Sequence, residues 1–264
     1  MKNHENTICR RNFMIGTAAA LEIMPPALMA EESPLATEEP PAAPARELKV
    51  VCVGGHPDDP ESGCGGTLAR YAQAGHQVTA LYLTRGEAGI PGKSHEEAAA
   101  IRTAECEAAC KILGAKPLFA GQIDGATEIN RVRAQALLKL LTALAPDVVF
   151  THWPIDTHPD HQAAAILTLR AYLATARRFS LYFFEVNSGS QTLGFAPTAY
   201  VDISATREKK KAALFAHRSQ DGERIYRIHH EPMEIFRGRE LGVAAAEAFA
   251  QLARDSRGGR LLGR

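Results

Sequence analysis

The 264-residue chain lacks an excess of either charge. Its 30 Lys and Arg balance 30 Asp and Glu, for a formal net charge of zero. A balanced chain presents no electrostatic footprint for nucleic acid and no polybasic patch for a membrane surface. With one Trp and five Cys, it has too few thiols for a disulfide-stapled scaffold. No apolar run reaches the roughly 18 residues of a membrane span. What is present, 45% apolar and 23% charged residues, matches a soluble globular protein with one large core.

Residues 1–30 read as an address rather than as structure. Arg10 and Arg11 precede Phe13, Met14 and a small-apolar run. Pro25 and Pro26 follow, and then Leu28 and Ala30 in a cleavage-compatible pattern. The segment resembles a bacterial twin-arginine signal peptide, with Glu22 its departure from that pattern. It implies Tat export to the periplasm or beyond the cell. Residues 31–46 are rich in Pro, Ala and Glu, which is linker composition. The folded domain is expected over 47–264.

From Leu48 onward strand and helix patterns alternate. LKVVCVG (48–54), QVTALYLT (77–84), KPLFA (116–120), DVVFTH (147–152), SLYFFEV (180–186) and AYVDI (199–203) read as strands. Helices are expected at 62–75, 94–113, 128–145, 159–176, 204–218 and near 239–254. Repeated βαβα order implies a single α/β domain with a mainly parallel sheet covered on both faces. Cys106 and Cys110 stand four apart on one helix. No second pair lies at zinc-finger spacing, so they read as small buried residues.

Two polar clusters follow strands, where open parallel sheets place their ligands. GHPDDPESGCGG (55–66) follows the first strand and THPDHQAA (157–164) follows the fourth. Each supplies a second donor three residues after its first histidine: Asp59 after His56, and His161 after His158. That spacing brings two side chains together over one helical turn. Pro57 and Pro159 suit a first helical position, and the nearby carboxylates meet the positive end of the helix dipole. The glycines of 63–66 do not form GxGxxG, which argues against a dinucleotide site.

Imidazole plus carboxylate is the donor set of a catalytic zinc site, three protein ligands with one open position. The spacing assigns His56, Asp59 and His161 to the metal and leaves Asp58 and His158 free. Zinc lowers the pKa of water from about 15.7 to about 7 and polarises a carbonyl. An adjacent carboxylate then serves as general base and a nearby imidazolium as oxyanion donor. Asp160 stands where it can hold a ligand imidazole from behind. The chemistry implied is hydrolysis of an unactivated carbonyl bond such as an amide.

GHPDDPESGCGGTLA, LTRGEAG, IRTAECEAACKILGA and HPDHQAA, in that order, resemble the PIG-L/LmbE-like N-deacetylases, from about Val50 to about Phe249. The resemblance implies a Rossmann-like three-layer α/β sandwich and a divalent metal, usually zinc. It also implies removal of an acetyl group from an amino sugar or glycoconjugate. The family's metal ligands fall on His56, Asp59 and His161, its general base on Asp58 and its oxyanion histidine on His158. Arg102 falls where similar enzymes hold the substrate with an arginine, and Asp124 where sugar hydroxyls are bound.

One position departs from the family pattern. Pro60 replaces a glutamate after the two aspartates, and Glu61 follows it. Proline there removes an N–H, so a distorted turn is expected. Three alternatives stay open at this level: hydrolysis of a different amide or ester, a carbohydrate-binding protein that has lost turnover, and a nucleotide-binding domain. Iron, cobalt or manganese would also accept these ligands. Substrate identity and oligomeric state are not readable here.

Overall fold

The computed structural model describes residues 46–252. The export-signal segment, nearly all of the linker and the last twelve residues lie outside that range. Seven strands form one sheet in the order β3-β2-β1-β4-β5-β7-β6. They are β1 (Lys49–Gly54), β2 (Gln77–Tyr82), β3 (Lys116–Phe119), β4 (Val148–His152), β5 (Ser180–Phe184), β6 (Ala199–Asp202) and β7 (Ala246–Gln251). The first five run parallel, while β7 is antiparallel to both β5 and β6.

Helices α1 (Asp59–Gln73), α2 (His95–Leu113) and α5 (Arg207–Ala216) pack together on one face of the sheet. Helices α3 (Arg131–Leu144) and α4 (Pro159–Ala174) cover the other. Strand β1 shows why its sequence is apolar throughout. Val50 and Cys52 point into the core under α1, whereas Val51 and Val53 point into the core under α3 and α4. A short α6 (Gly222–Ile225), a π-turn (Tyr226–His230) and α7 (Glu231–Leu241) form the C-terminal helical segment. Among the described residues no helix is long and apolar enough to cross a membrane.

Local signals in the chain set several boundaries. Ser94 and Glu97 cap α2 reciprocally, and Gly114 ends it at φ +77°. Pro60 sits in the first turn of α1, where a backbone N–H is not needed, and Ser62 N still donates to Asp58 O at 2.8 Å. The expected distortion at Pro60 therefore costs α1 no hydrogen bond.

Residues 239–254, expected to be a final helix, divide instead. Helix α7 ends at Leu241, with Gly242 at φ +82°, and Ala246–Gln251 is strand β7. The alanine-rich AEAFAQ run favours a helix locally. Pairing with β5 on one side and β6 on the other, with Phe249 and Ala250 buried on opposite faces, outweighs that preference.

Candidate metal centre and active site

Strand order reverses between β1 and β4, which pair from Val50 with Val148 to Val53 with Thr151. The loops after these two strands carry the two His-Pro-Asp clusters, so they meet at the switch point. Gly55 permits the approach. A Cβ there would lie 3.2 Å from His161 Cδ2 and 3.3 Å from the Asp160 backbone. Asp58 caps α1 at φ 110°, a conformation costing about 1–3 kcal/mol in a non-glycine residue and found mainly where function requires it. His158 caps α4, its Nδ1 accepting from Asp160 N at 3.2 Å.

The three proposed ligands converge. His56 Nδ1 lies 3.2 Å from Asp59 Oδ2, and His161 Nε2 lies 3.2 Å from Asp59 Oδ1. The outward nitrogens are held by other carboxylates. His56 Nε2 faces Asp160 at 3.0 Å and Asp124 at 3.1 Å, while His161 Nδ1 faces Asp156 at 3.1 Å. Carboxylate-supported imidazoles whose free nitrogens face a third donor are the arrangement of a divalent-metal site. All three side chains are buried at the floor of an open cleft of about 490 Å³. Ligand atoms of His56, His158 and His161, and likewise of Asp59, His152 and His161, lie within 4.8 Å of one another, so the combined donor set fits a divalent cation.

The charges are strongly coupled. Burial pushes Asp59 up, but the charges and hydrogen bonds of His161 and His152 together outweigh it and hold the carboxyl well below its usual range. Burial opposes protonation of His161, yet Asp59 and Asp156 raise it to about 9. His56 is raised as well, burial being overcome by Asp124, Asp160 and Asp59. These raised values show how much positive charge the carboxylates call for at this point.

Asp58 and His158 both line the cleft. Burial raises the Asp58 pKa against the pull of Arg102, whose Nη2 donates to Asp58 Oδ2 at 3.0 Å. A base with a raised pKa holds the proton it accepts more readily and can then return it. Burial and the charges of His56 and His161 lower His158. With Nδ1 accepting from Asp160 N, the proton of the neutral ring sits on Nε2. Without an ion, these surroundings disfavour the imidazolium expected from the sequence.

Arg102 and Asp124 also line the cleft, where the Asp124 carboxylate and the Arg102 Nη atoms are engaged with the protein while Arg102 Nε has no hydrogen-bond partner. Arg102 holds Asp58 and the Pro57 carbonyl, and its guanidinium packs where a side chain at Gly86 would stand. Asp124 holds His56 through Oδ1 and accepts from Ala88 N at 3.0 Å through Oδ2. Asp160, fully buried, supports His56 and also accepts from Gly125 N and Thr127 Oγ1.

Two members of the site went unseen in the sequence. Asp156, two residues before His158, orients His161 and accepts from His158 N at 2.8 Å. Its position beside the second motif was an available signal. His152, at the end of β4, places Nε2 3.2 Å from Asp59 Oδ2 and stacks on His161 at 4.1 Å. Burial and the His161 charge drop it to about 4, so it stays neutral. Its strand position gave no such signal. The cleft rim adds Asn187, Gln191, Gln220, His229 and His230 from the C-terminal half.

The chain is similar in sequence and fold to known proteins. The family described as "PIG-L: GlcNAc-PI de-N-acetylase" matches residues 51–172. A diacetylchitobiose deacetylase of Thermococcus kodakarensis is 31% identical over 219 residues, covering 76% of this chain and 82% of that protein. Among solved structures, a conserved protein of Thermus thermophilus shares 33% identity at a TM-score of 0.69, over 79% of this chain and 96% of its own. The N,N'-diacetylchitobiose deacetylase of Pyrococcus horikoshii shares 27% identity at a TM-score of 0.68, over 78% and 84%.

Proposed function

This chain belongs to the PIG-L/LmbE-like family of deacetylases, and from that premise we propose that it removes an N-acetyl group from an amino sugar or glycoconjugate, with zinc as its metal. The observation that carries the proposal is the meeting of His56 Nδ1 and His161 Nε2 on the Asp59 carboxylate, with Asp58 and His158 beside them. When bound, a divalent ion supplies Lewis acidity and a water acidified to a pKa near about 7.

The chain's own residues account for the proton traffic. Asp58, steadied through Oδ2 by Arg102, takes a proton from the water that adds to the acetamide carbon. His158 donates Nε2–H to the carbonyl oxygen as negative charge develops there. Asp58 returns its proton to the nitrogen, the C–N bond breaks, and acetate and free amine leave. Asn187, Gln191 and Gln220 on the rim offer the mixed donors and acceptors that sugar hydroxyls require. Pro60 leaves α1 regular, which supports an enzyme competent for turnover.

The Arg10–Arg11 segment favours extracellular or periplasmic amino sugars as substrates. N-terminal sequencing of protein from its native host tests that part. The central test is acetate release from a panel of N-acetylated mono- and oligosaccharides, with and without chelator. Chelator-sensitive release is expected. Zinc-replete protein that frees no acetate from any of them would refute the reading.

A further inference from the structure

We propose that this chain carries a second metal site, a structural zinc clasped between Glu61 of α1 and Cys106 and Cys110 of α2. Cys106 and Cys110 are one turn apart and share a face of the helix. Their Sγ atoms and a Glu61 carboxylate oxygen lie within 4.8 Å of one another, all in fully buried residues. Tetrahedral zinc, with bonds of about 2.3 Å to sulfur and about 2.1 Å to oxygen, separates such donors by about 3.5–3.8 Å. Small side-chain rotations close that gap.

A second, independent observation is the unmet polar demand at the same point. Glu61 Oε2 has no hydrogen-bond partner, nor does either ring nitrogen of His217. His217 Nε2 stands only 3.3 Å from Glu61 Oε1, with both residues fully enclosed. The open buried Glu61 Oε2 bears a desolvation cost with no compensating bond, whereas His217 is compensated in part by its ion pair with Glu61 Oε1. A cation at the thiols and carboxylate satisfies that open oxygen, with His217 beside Glu61 as its neighbour. Tyr82 supports the arrangement, its hydroxyl donating to Glu61 Oε1 at 2.8 Å and meeting Cys110 Sγ at 3.3 Å.

Two sulfurs and one oxygen select zinc over magnesium or calcium, and the closed surroundings suit a structural rather than a catalytic ion. In the metal-free chain, contact with Cys110 and burial keep Cys106 protonated, so uptake of the ion releases protons. The placement has a purpose in the fold. Glu61 lies three residues after Asp58, and Cys106 lies one turn after Arg102. The ion would therefore clamp the first turn of α1 to α2 alongside the Asp58–Arg102 pair. It touches no substrate, and its presence does not depend on the deacetylase reading.

Cobalt distinguishes the two sites, because the His56–Asp59–His161 centre has no sulfur. Full-length protein produced in zinc-poor, cobalt-supplemented medium under reducing conditions should hold about two cobalt ions per chain. It should also show a near-ultraviolet thiolate-to-cobalt charge-transfer band. His161→Ala should keep the band and lose about one ion. Cys106→Ala/Cys110→Ala should lose the band and about one ion while keeping the other. Absence of the band in the unaltered protein overturns the proposal, whatever the variants do. Persistence of the band in the double variant also overturns it, since Cys52 and Cys64 are the remaining buried thiols. Should the double variant fail to fold, Glu61→Gln keeps both thiols and should shift the band. An unshifted band there removes Glu61 from the site.

Discussion

Asp59 and His161, more than a hundred residues apart in the chain, meet at 3.2 Å across the point where the sheet reverses its strand order. Asp59 opens α1 and His161 lies in the first turn of α4, so each helix start aims one donor at the same spot. The surrounding carboxylates supply the charge that keeps those donors oriented. The predictions below follow from that convergence.

Asp58→Asn removes the proton acceptor while leaving the shape of the α1 cap. Turnover should fall by about 10²–10⁴-fold, the usual worth of a positioned general base. Metal content, read by elemental analysis of the same preparation, should stay near that of the unaltered protein. A variant that turns over at full rate would exclude Asp58 from the chemistry.

Asp156→Asn weakens the support behind His161 Nδ1 without touching a ligand atom. Metal affinity should drop by about 10–100-fold, as is usual when the partner of a ligand imidazole is lost. Competition with a chelator of known affinity measures it. Unchanged affinity would show that His161 holds its orientation without Asp156.

In metal-free protein, His161 makes stability depend on pH. Its folded pKa, about 9, lies above its ordinary value of 6.5. The stabilising charge is therefore fully present below pH 6.5 and is lost as pH rises through 9. Thermal melts of chelator-treated protein should fall in Tm across that window. Restoring the ion should cancel or reverse the trend, because the metal competes with the proton for the same nitrogen. A flat profile without metal would contradict the raised value.

Lys210→Met tests the buried network that anchors β7. Lys210 Nζ reaches Glu247 Oε1 at 2.8 Å, and Glu247 also accepts from Gly66 N and Thr67 N inside α1. Both side chains are at least 96% enclosed, so deleting the cation leaves a buried, uncompensated carboxylate. The expected cost is about 3–5 kcal/mol, read as a lower urea midpoint with unchanged slope. A midpoint shift under about 1 kcal/mol would mean that water reaches Glu247 in solution.

Much of the fold was legible because its signals are local. Continuous apolar runs marked β1, β4 and β5, and the α2 pattern was placed to within one residue at its start and ended at Gly114 as expected. The two His-Pro-Asp motifs, at the ends of two strands, singled out His56, Asp59 and His161, and the fold brings both histidines to 3.2 Å from the Asp59 carboxylate. The alanine-rich Ala246–Gln251 segment misled because a strand's partners are not written in its own residues. His152 and Asp156 showed the same limit. Nothing in a lone histidine at a strand end says that a carboxylate from β1's loop will stand 3.2 Å away.

By itself, then, the order of residues determined which side chains are able to ligate, which segments prefer strand or helix, and which motifs follow which strands. Those properties depend on neighbours a few positions off, so they survive without coordinates. Only the tertiary structure decided that Asp124 and Arg102 brace His56 and Asp58, that burial and neighbouring charges lower the pKa of His158, and that Glu61 comes to rest beside Cys106 and Cys110. Burial, charge and distance between remote segments set those outcomes, and these quantities exist only once the chain has closed on itself.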